Sequence, residues 1–207
     1  MYSPAFNQIA DRAVLIEAMR TYSFAILIGP QSSAETAVPL TATHLPLVVK
    51  DEGPHGLLEG HFALANRHWQ ALAGRETLVV FSGPHSYVSP TLYADPLSVP
   101  TWNYIAVHAY GTLEPLEDKA DKEAVLTGLI RAHEPDFEVR WQAMPEEFRR
   151  SMLAEIVGFR IPIDRIEGKF KLSQNRDTVD RDRIWAINAV GGSNQQSLAD
   201  WMTRLGE

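Results

Sequence analysis

Two hydrophobic periods alternate along this chain, one helical and one extended. Behind Asp11, which has the side chain of a helix N-cap, Val14, Leu15, Ala18 and Met19 recur at three- and four-residue spacing and predict a short amphipathic helix. Phe24 to Ile28 is a continuous apolar run closed by Gly29-Pro30, the pattern of a buried strand. Thr41 to Lys50 reads as a second strand. Pro46 inside it cannot donate to a ladder, which calls for an edge position or a bulge. Leu57 to Ala63 predicts a third strand, and Asn66 can cap a short helix from Arg67 to Leu72. Thr77 to Ser82 is an aliphatic strand. Gly83-Pro84 turns the chain, which extends again to Pro90 and then loops to Pro100.

The clearest strand is Trp102 to Gly111. Trp102, Tyr104, Ala106, His108 and Tyr110 fall on one face, and Asn103, Ile105, Val107 and Ala109 on the other. Both faces are largely apolar or aromatic, which predicts a central strand in a barrel wall covered on both sides. Asp118 to His133 is a helix with Val125, Leu126, Leu129 and Ile130 as its inner stripe, and Pro145 suits a helix first turn. Phe159, Ile161 and Ile163 alternate as the last strand, where Pro162 again suggests an edge. Helices follow from about residue 177, the last carrying Leu198, Trp201, Met202 and Leu205. Strands and helices mix without regular βαβ alternation. The expected class is therefore α+β: an antiparallel barrel with helices packed outside, as a single domain over residues 1–207.

Composition narrows the chemistry. The 207 residues contain no cysteine, which removes disulfides, thiolate metal sites and a cysteine nucleophile. The net charge of −7 is opposite in sign to what nucleic-acid binding needs, and no DNA-binding motif is visible. No apolar run approaches the roughly 20 residues that span a bilayer, and Met1 to Pro4 lacks the pattern of a secretory signal, so a cytoplasmic location is expected. The seven histidines are dispersed with no metal-ligand spacing, so no metal is expected. No G-x-S-x-G nucleophile motif occurs.

One stretch concentrates polar chemistry. Glu167 to Arg176 holds the cations Lys169, Lys171 and Arg176 together with Ser173, Gln174 and Asn175. Cations and amides at the end of a strand suit a phosphate or another anion, although a solvated basic turn has the same composition. Trp69, Tyr87, Trp102 and Tyr104 could wall a planar ligand, with core packing as the competing role. Asn66, Asn103 and Gln174 could read its edges, and Arg67 adds a cation.

These pieces resemble the PaiB family, the FMN-binding negative transcriptional regulators of bacteria. The resemblance is carried by Ala42-Thr43-His44-Leu45-Pro46-Leu47, Gly60-His61-Phe62-Ala63 with Asn66 and Trp69, Phe81 to Pro90, Val99 to Gly111 and Glu167 to Arg176. It implies a split β-barrel similar to pyridoxamine-phosphate oxidase, a homodimer and FMN in the crevice between subunits. It places His44, His61, Asn66, Trp102, Lys171, Gln174 and Arg176 near the cofactor. On this reading Lys169, Lys171 and Arg176 hold the phosphate, Asn66 and Gln174 bond the phosphate or ring edge, and Trp102 flanks the isoalloxazine. The chain departs from the family pattern at Leu64 and Arg67, where the family has Arg and Pro, and at Leu92, where it has Trp; Arg67 can replace the missing cation. The functions implied are an FMN-dependent regulator or redox sensor, a flavin oxidoreductase without DNA contact, or a split barrel holding haem or another planar ligand.

Overall fold

A computed structural model describes residues 1–31 and 40–206. The strands form one antiparallel sheet of nine that does not close on itself. They are β1 (Gln8–Ile9), β2 (Phe24–Pro30), β3 (Leu40–Pro46), β4 (Val48–Lys50), β5 (Leu57–Ala63), β6 (Glu76–Val88), β7 (Thr101–Thr112), β8 (Glu114–Leu116) and β9 (Ile156–Lys171). The order is β3-β2-β6-β7-β9-β5-β4, with β1 and β8 paired to β9. Among the described residues, seven α-helices accompany them: α1 (Arg12–Thr21), α2 (His68–Leu72), α3 (Lys119–His133), α4 (Phe137–Ala143), α5 (Glu146–Ala154), α6 (Thr178–Ala189) and α7 (Ser193–Leu205). The chain gathers into two compact units. The first comprises Met1–Leu15, Ser82–Val107 and Glu167–Glu207; the second comprises Ile16–Phe81 and His108–Ile166.

In the first unit, β1 lies along the end of β9 through Gln8↔Lys169 and Ile9↔Gly168. Phe170 is fully buried and meets Trp201 of α7 edge-on at 5.1 Å. Leu198, one helical turn before Trp201, and the adjacent Met202 complete the buried stripe of α7. Asp177 caps α6 by accepting from the Asp180 amide at 2.9 Å, and buried Asp180 accepts from the Ala94 amide at 2.7 Å. In the second unit, Phe62 and Phe159 are both fully buried with ring centroids 5.0 Å apart. Each such ring contributes on the order of 1.5–3 kcal/mol by leaving water. Gly60 is needed beside them, because a Cβ there would come within 2.7 Å of Leu47 and 2.9 Å of Phe159.

Several expectations change. The run from Thr41 to Lys50 is two strands, because the chain breaks at Leu47, whose amide bonds the Ser23 carbonyl at 3.0 Å. Pro46 is the last residue of β3, and β3 and β4 end the strand order at opposite sides, so the proline does sit on an edge. Gly83-Pro84 does not turn the chain: β6 runs unbroken for 13 residues. β7 is central as expected, but only its Asn103, Ile105, Val107 and Ala109 face is buried throughout. The opposite face is partly open, with Trp102 52% exposed, so the wall is not covered on both sides. β9 continues past Ile163 to Lys171, and it is an interior strand in spite of Pro162. Pro162 is opposite Leu57 in the last pair of the β5–β9 ladder, where a missing N–H costs little.

Candidate functional site

The predicted residues fall into two clusters, one in each unit. Trp102, Lys169, Lys171, Gln174 and Arg176 belong to the first unit, and His44, His61, Asn66 and Arg67 to the second.

In the first unit, β9 ends at Lys171 and a tight turn follows. Ser173 adopts φ 68°, the left-handed region, and is the only described non-glycine residue to do so. The turn is fixed from two sides. Gln174 spends both ends of its amide on backbone, accepting from the Leu172 amide at 2.8 Å and donating to the Phe170 carbonyl at 2.6 Å. Ser173, buried, exchanges hydrogen bonds with the fully buried Asn103: the Asn103 amide nitrogen donates to Ser173 Oγ at 2.9 Å, and Ser173 Oγ donates to Asn103 Oδ1 at 3.1 Å. Lys171 Nζ donates to the Trp102 carbonyl at 2.9 Å and to Thr101 Oγ1. Three consecutive residues of β7 therefore hold the end of β9 and its turn.

The three cations differ in availability. Lys169 is buried, donates to the Tyr2 carbonyl at 3.1 Å and lies over the rings of Tyr2 and Tyr104 at 5.5 and 5.3 Å. Lys171 is half-buried and has one of its three donors left after the two bonds above. Arg176 stacks on Tyr93 with its guanidinium carbon 3.8 Å from the ring centroid, which leaves its fork of donors open. The Tyr93 hydroxyl beneath it is buried and has no hydrogen-bond partner among the described residues. Among the described residues, none of the three cations is paired with a carboxylate. Burial, and then the charges of Lys169 and Arg176, hold the Lys171 ammonium below the usual lysine range. Beside the cations, Trp102 and Tyr87 are each 52% exposed and meet edge-on at 5.8 Å, with His85 6.1 Å from Trp102. Uncompensated positive charge beside an open aromatic face fits a flat ligand carrying an anionic group.

The second cluster is built differently. His68, which sequence reasoning passed over, is its centre. It is buried, and its Nδ1 pairs with Thr43 Oγ1 at 2.8 Å. Asn66 Nδ2 donates to the same hydroxyl at 3.4 Å, while Asn66 Oδ1 accepts from the His68 amide at 3.1 Å. This last bond makes Asn66 the side-chain partner of the first turn of α2, close to the capping role expected of it. Burial pulls the His68 pKa down and the Gly29 backbone partly offsets it; burial also lowers His61, whose Nδ1, like His68 Nε2, is enclosed without a hydrogen-bond partner among the described residues. His44 is exposed on β3, its ring 6.1 Å from Phe24, and Arg67 is exposed at the start of α2. The same Thr43-His44 and Asn66-Arg67-His68 neighbourhoods are visible in the sequence, but nothing there says that Thr43 and His68 meet.

A groove of about 660 Å³ contains none of the predicted residues. It is lined by Arg20, Arg131 and His133 over Leu47 and Val49. These basic side chains lie in or at the last turns of α1 and α3, where cations offset the negative end of the helix dipole.

Comparison with known proteins identifies a flavin-binding family. Residues 1–165 match the family described as "Putative FMN-binding domain". The match ends before the cationic stretch. "Protease synthase and sporulation protein PAI 2" of Bacillus subtilis is 36% identical over 206 residues, 98% of this chain and 96% of that protein. In fold, the chain is similar to the flavocytochrome Anf3 of Azotobacter vinelandii, with a TM-score of 0.63 at 16% identity over 86% of this chain and 75% of that one. It is also similar to a FAD and haem binding protein of Mycobacterium smegmatis, with a TM-score of 0.61 at 17% identity over 90% and 81%. The open antiparallel sheet is thus that of flavin-binding split barrels, and the chain belongs to the PaiB-type family of FMN-binding domains.

Proposed function

We propose that this protein holds FMN by its phosphate on Arg176 and Lys171, with the isoalloxazine against the exposed face of Trp102, and acts as a flavin-dependent redox sensor. The observation that carries the reading is the group of three cations without a carboxylate partner among the described residues. At least seven other basic residues among the described residues are paired with a carboxylate, whereas these three are grouped together without one. A phosphate would supply the missing charge, and Arg176 has the planar fork that suits it. Lys169, enclosed by Tyr2 and Tyr104, adds field rather than contact. Bound FMN would supply electron and hydride transfer. The chain's own residues orient it: Thr101 and the Trp102 carbonyl aim Lys171, and Tyr93 supports Arg176.

Any control of gene expression then works without tight duplex contact by this chain alone, since its net charge is −7. The exposed Tyr2, Phe6, Tyr87, Leu97, Val99 and Trp102 of the first unit support a homodimer, because one unit leaves this much apolar surface uncovered. The test is a titration of the purified protein with FMN and with riboflavin, followed by absorption. FMN binding at least tenfold tighter than riboflavin is expected, since a charge-assisted hydrogen bond is worth about 1.5–3 kcal/mol. Equal affinities would sink the phosphate reading. Light scattering checks the dimer, and titration with duplex DNA at physiological salt checks the absence of binding near 10⁻⁸ M, roughly the range of specific DNA-binding proteins.

A further inference from the structure

We infer that Asn103 and Ser173 are positioning residues that set the protein's preference for phosphorylated over unphosphorylated flavin, by holding a strained turn between the two phosphate-binding cations. The inference rests on the phosphate reading above and extends it to two residues that touch no ligand.

Ser173 separates Lys171 from Arg176 and sits at φ 68°, a conformation that strains a residue with a Cβ. Such strain persists only where the surroundings over-determine it. Here they do. One hydroxyl both donates to and accepts from one buried amide, so each end of the Asn103 side chain is used and neither can rotate away. Asn103 is fully buried on β7, on the face that carries Ile105, Val107 and Ala109. An apolar residue would satisfy that face at lower desolvation cost, so a buried amide there serves the turn, not the core. The bond pulls the chain out of the strand path immediately after Lys171. The Arg176 amide then closes on the Ser173 carbonyl at 2.9 Å, which brings Arg176 back toward Lys171. Burial first, and then repulsion from Lys169 and Arg176, depresses the Lys171 pKa, and the turn keeps the cations together in spite of that repulsion. Without the clamp, the cations would separate and lose joint reach to one phosphate. The riboflavin part of FMN would still find the Trp102 face.

Three variants separate hydroxyl, amide and strain. Ser173→Ala removes the hydroxyl and keeps the strain; Ser173→Gly removes both; Asn103→Ala removes the partner. FMN and riboflavin dissociation constants and thermal midpoints are measured for each, with Arg176→Gln alongside. The expected result is a loss of FMN affinity of about tenfold in all three, with riboflavin changed less than about twofold. Ser173→Gly should melt higher than Ser173→Ala because glycine adopts φ 68° freely, yet bind FMN no better. If Arg176→Gln shows the selective FMN loss and the Ser173 and Asn103 variants do not, the clamp inference fails while the phosphate reading stands. Equal weakening of FMN and riboflavin in the clamp variants also overturns it, since that is the mark of a structural role. If Arg176→Gln itself leaves FMN affinity unchanged, both fall together.

Discussion

The end of β9 and the start of α2 solve opposite electrostatic problems. Around Lys171, positive groups are packed near one another with only neutral acceptors: a carbonyl, a hydroxyl and aromatic faces. Around His68, neutral groups form a ring of hydrogen bonds from Thr43 to Asn66 and back to the His68 backbone, while His68 Nε2 and His61 Nδ1 stay buried without a hydrogen-bond partner among the described residues. The first arrangement is electrostatically incomplete and has the form of a site prepared for an anion. The second has a neutral core tied by its own hydrogen bonds, and has the form of a structural knot with ring nitrogens left over. Both contain residues that the family resemblance places near the cofactor, so proximity to a motif does not separate a ligand contact from a support. Three cations grouped without a carboxylate among the described residues do.

The largest expected effect tests whether the two regions stand on separate cores. Phe170→Ala removes a fully buried ring that packs on Trp201 and should cost about 3–5 kcal/mol. Phe62→Ala should cost a similar amount through its contact with Phe159. Chemical denaturation measures both. If Phe170→Ala were nearly neutral, the turn carrying the cations would lack the rigid base assigned to it.

A smaller effect tests the knot. Thr43→Val keeps shape and removes the hydroxyl, stranding His68 Nδ1 and the Asn66 amide, at a cost of about 1–3 kcal/mol. A change much below that would show the knot is already open to water. Smaller again is the acid response. His61 and His68 have folded pKa values below the ordinary 6.5, so the folded state binds fewer protons than the unfolded chain. Their contribution is complete above about pH 6.5 and is lost as the pH falls from there toward the lowered values. Thermal melts from pH 7.5 to 5 should decline, and His68→Gln should flatten part of that decline. An identical pH profile in the variant would mean that His68 is not the titrating group.

Much of this was legible in the sequence, and the failures have physical causes. The α1 stripe from Val14 to Met19, the β7 alternation and the C-terminal helices were readable because burial imposes a period. The sequence marked Lys169, Lys171 and Arg176 as a group, but not that Lys169 would be enclosed between two tyrosines, since Tyr2 and Tyr104 are distant along the chain. Pro162 and Gly83-Pro84 misled because a proline or glycine reports local backbone preference, whereas long neighbouring strands decided the path. The Ser173 conformation was invisible for the same reason: it is held by Asn103, 70 residues earlier.

The most direct measurement is the FMN and riboflavin affinity of Arg176→Gln and Lys171→Gln beside the unaltered protein. Each loses a charge-assisted contact of about 1.5–3 kcal/mol, so FMN binding should weaken about ten- to hundredfold. Riboflavin, with the same ring and no phosphate, should bind as before. Equal losses for both flavins, or no loss for either, would contradict the claim that the cations at the end of β9 hold the phosphate.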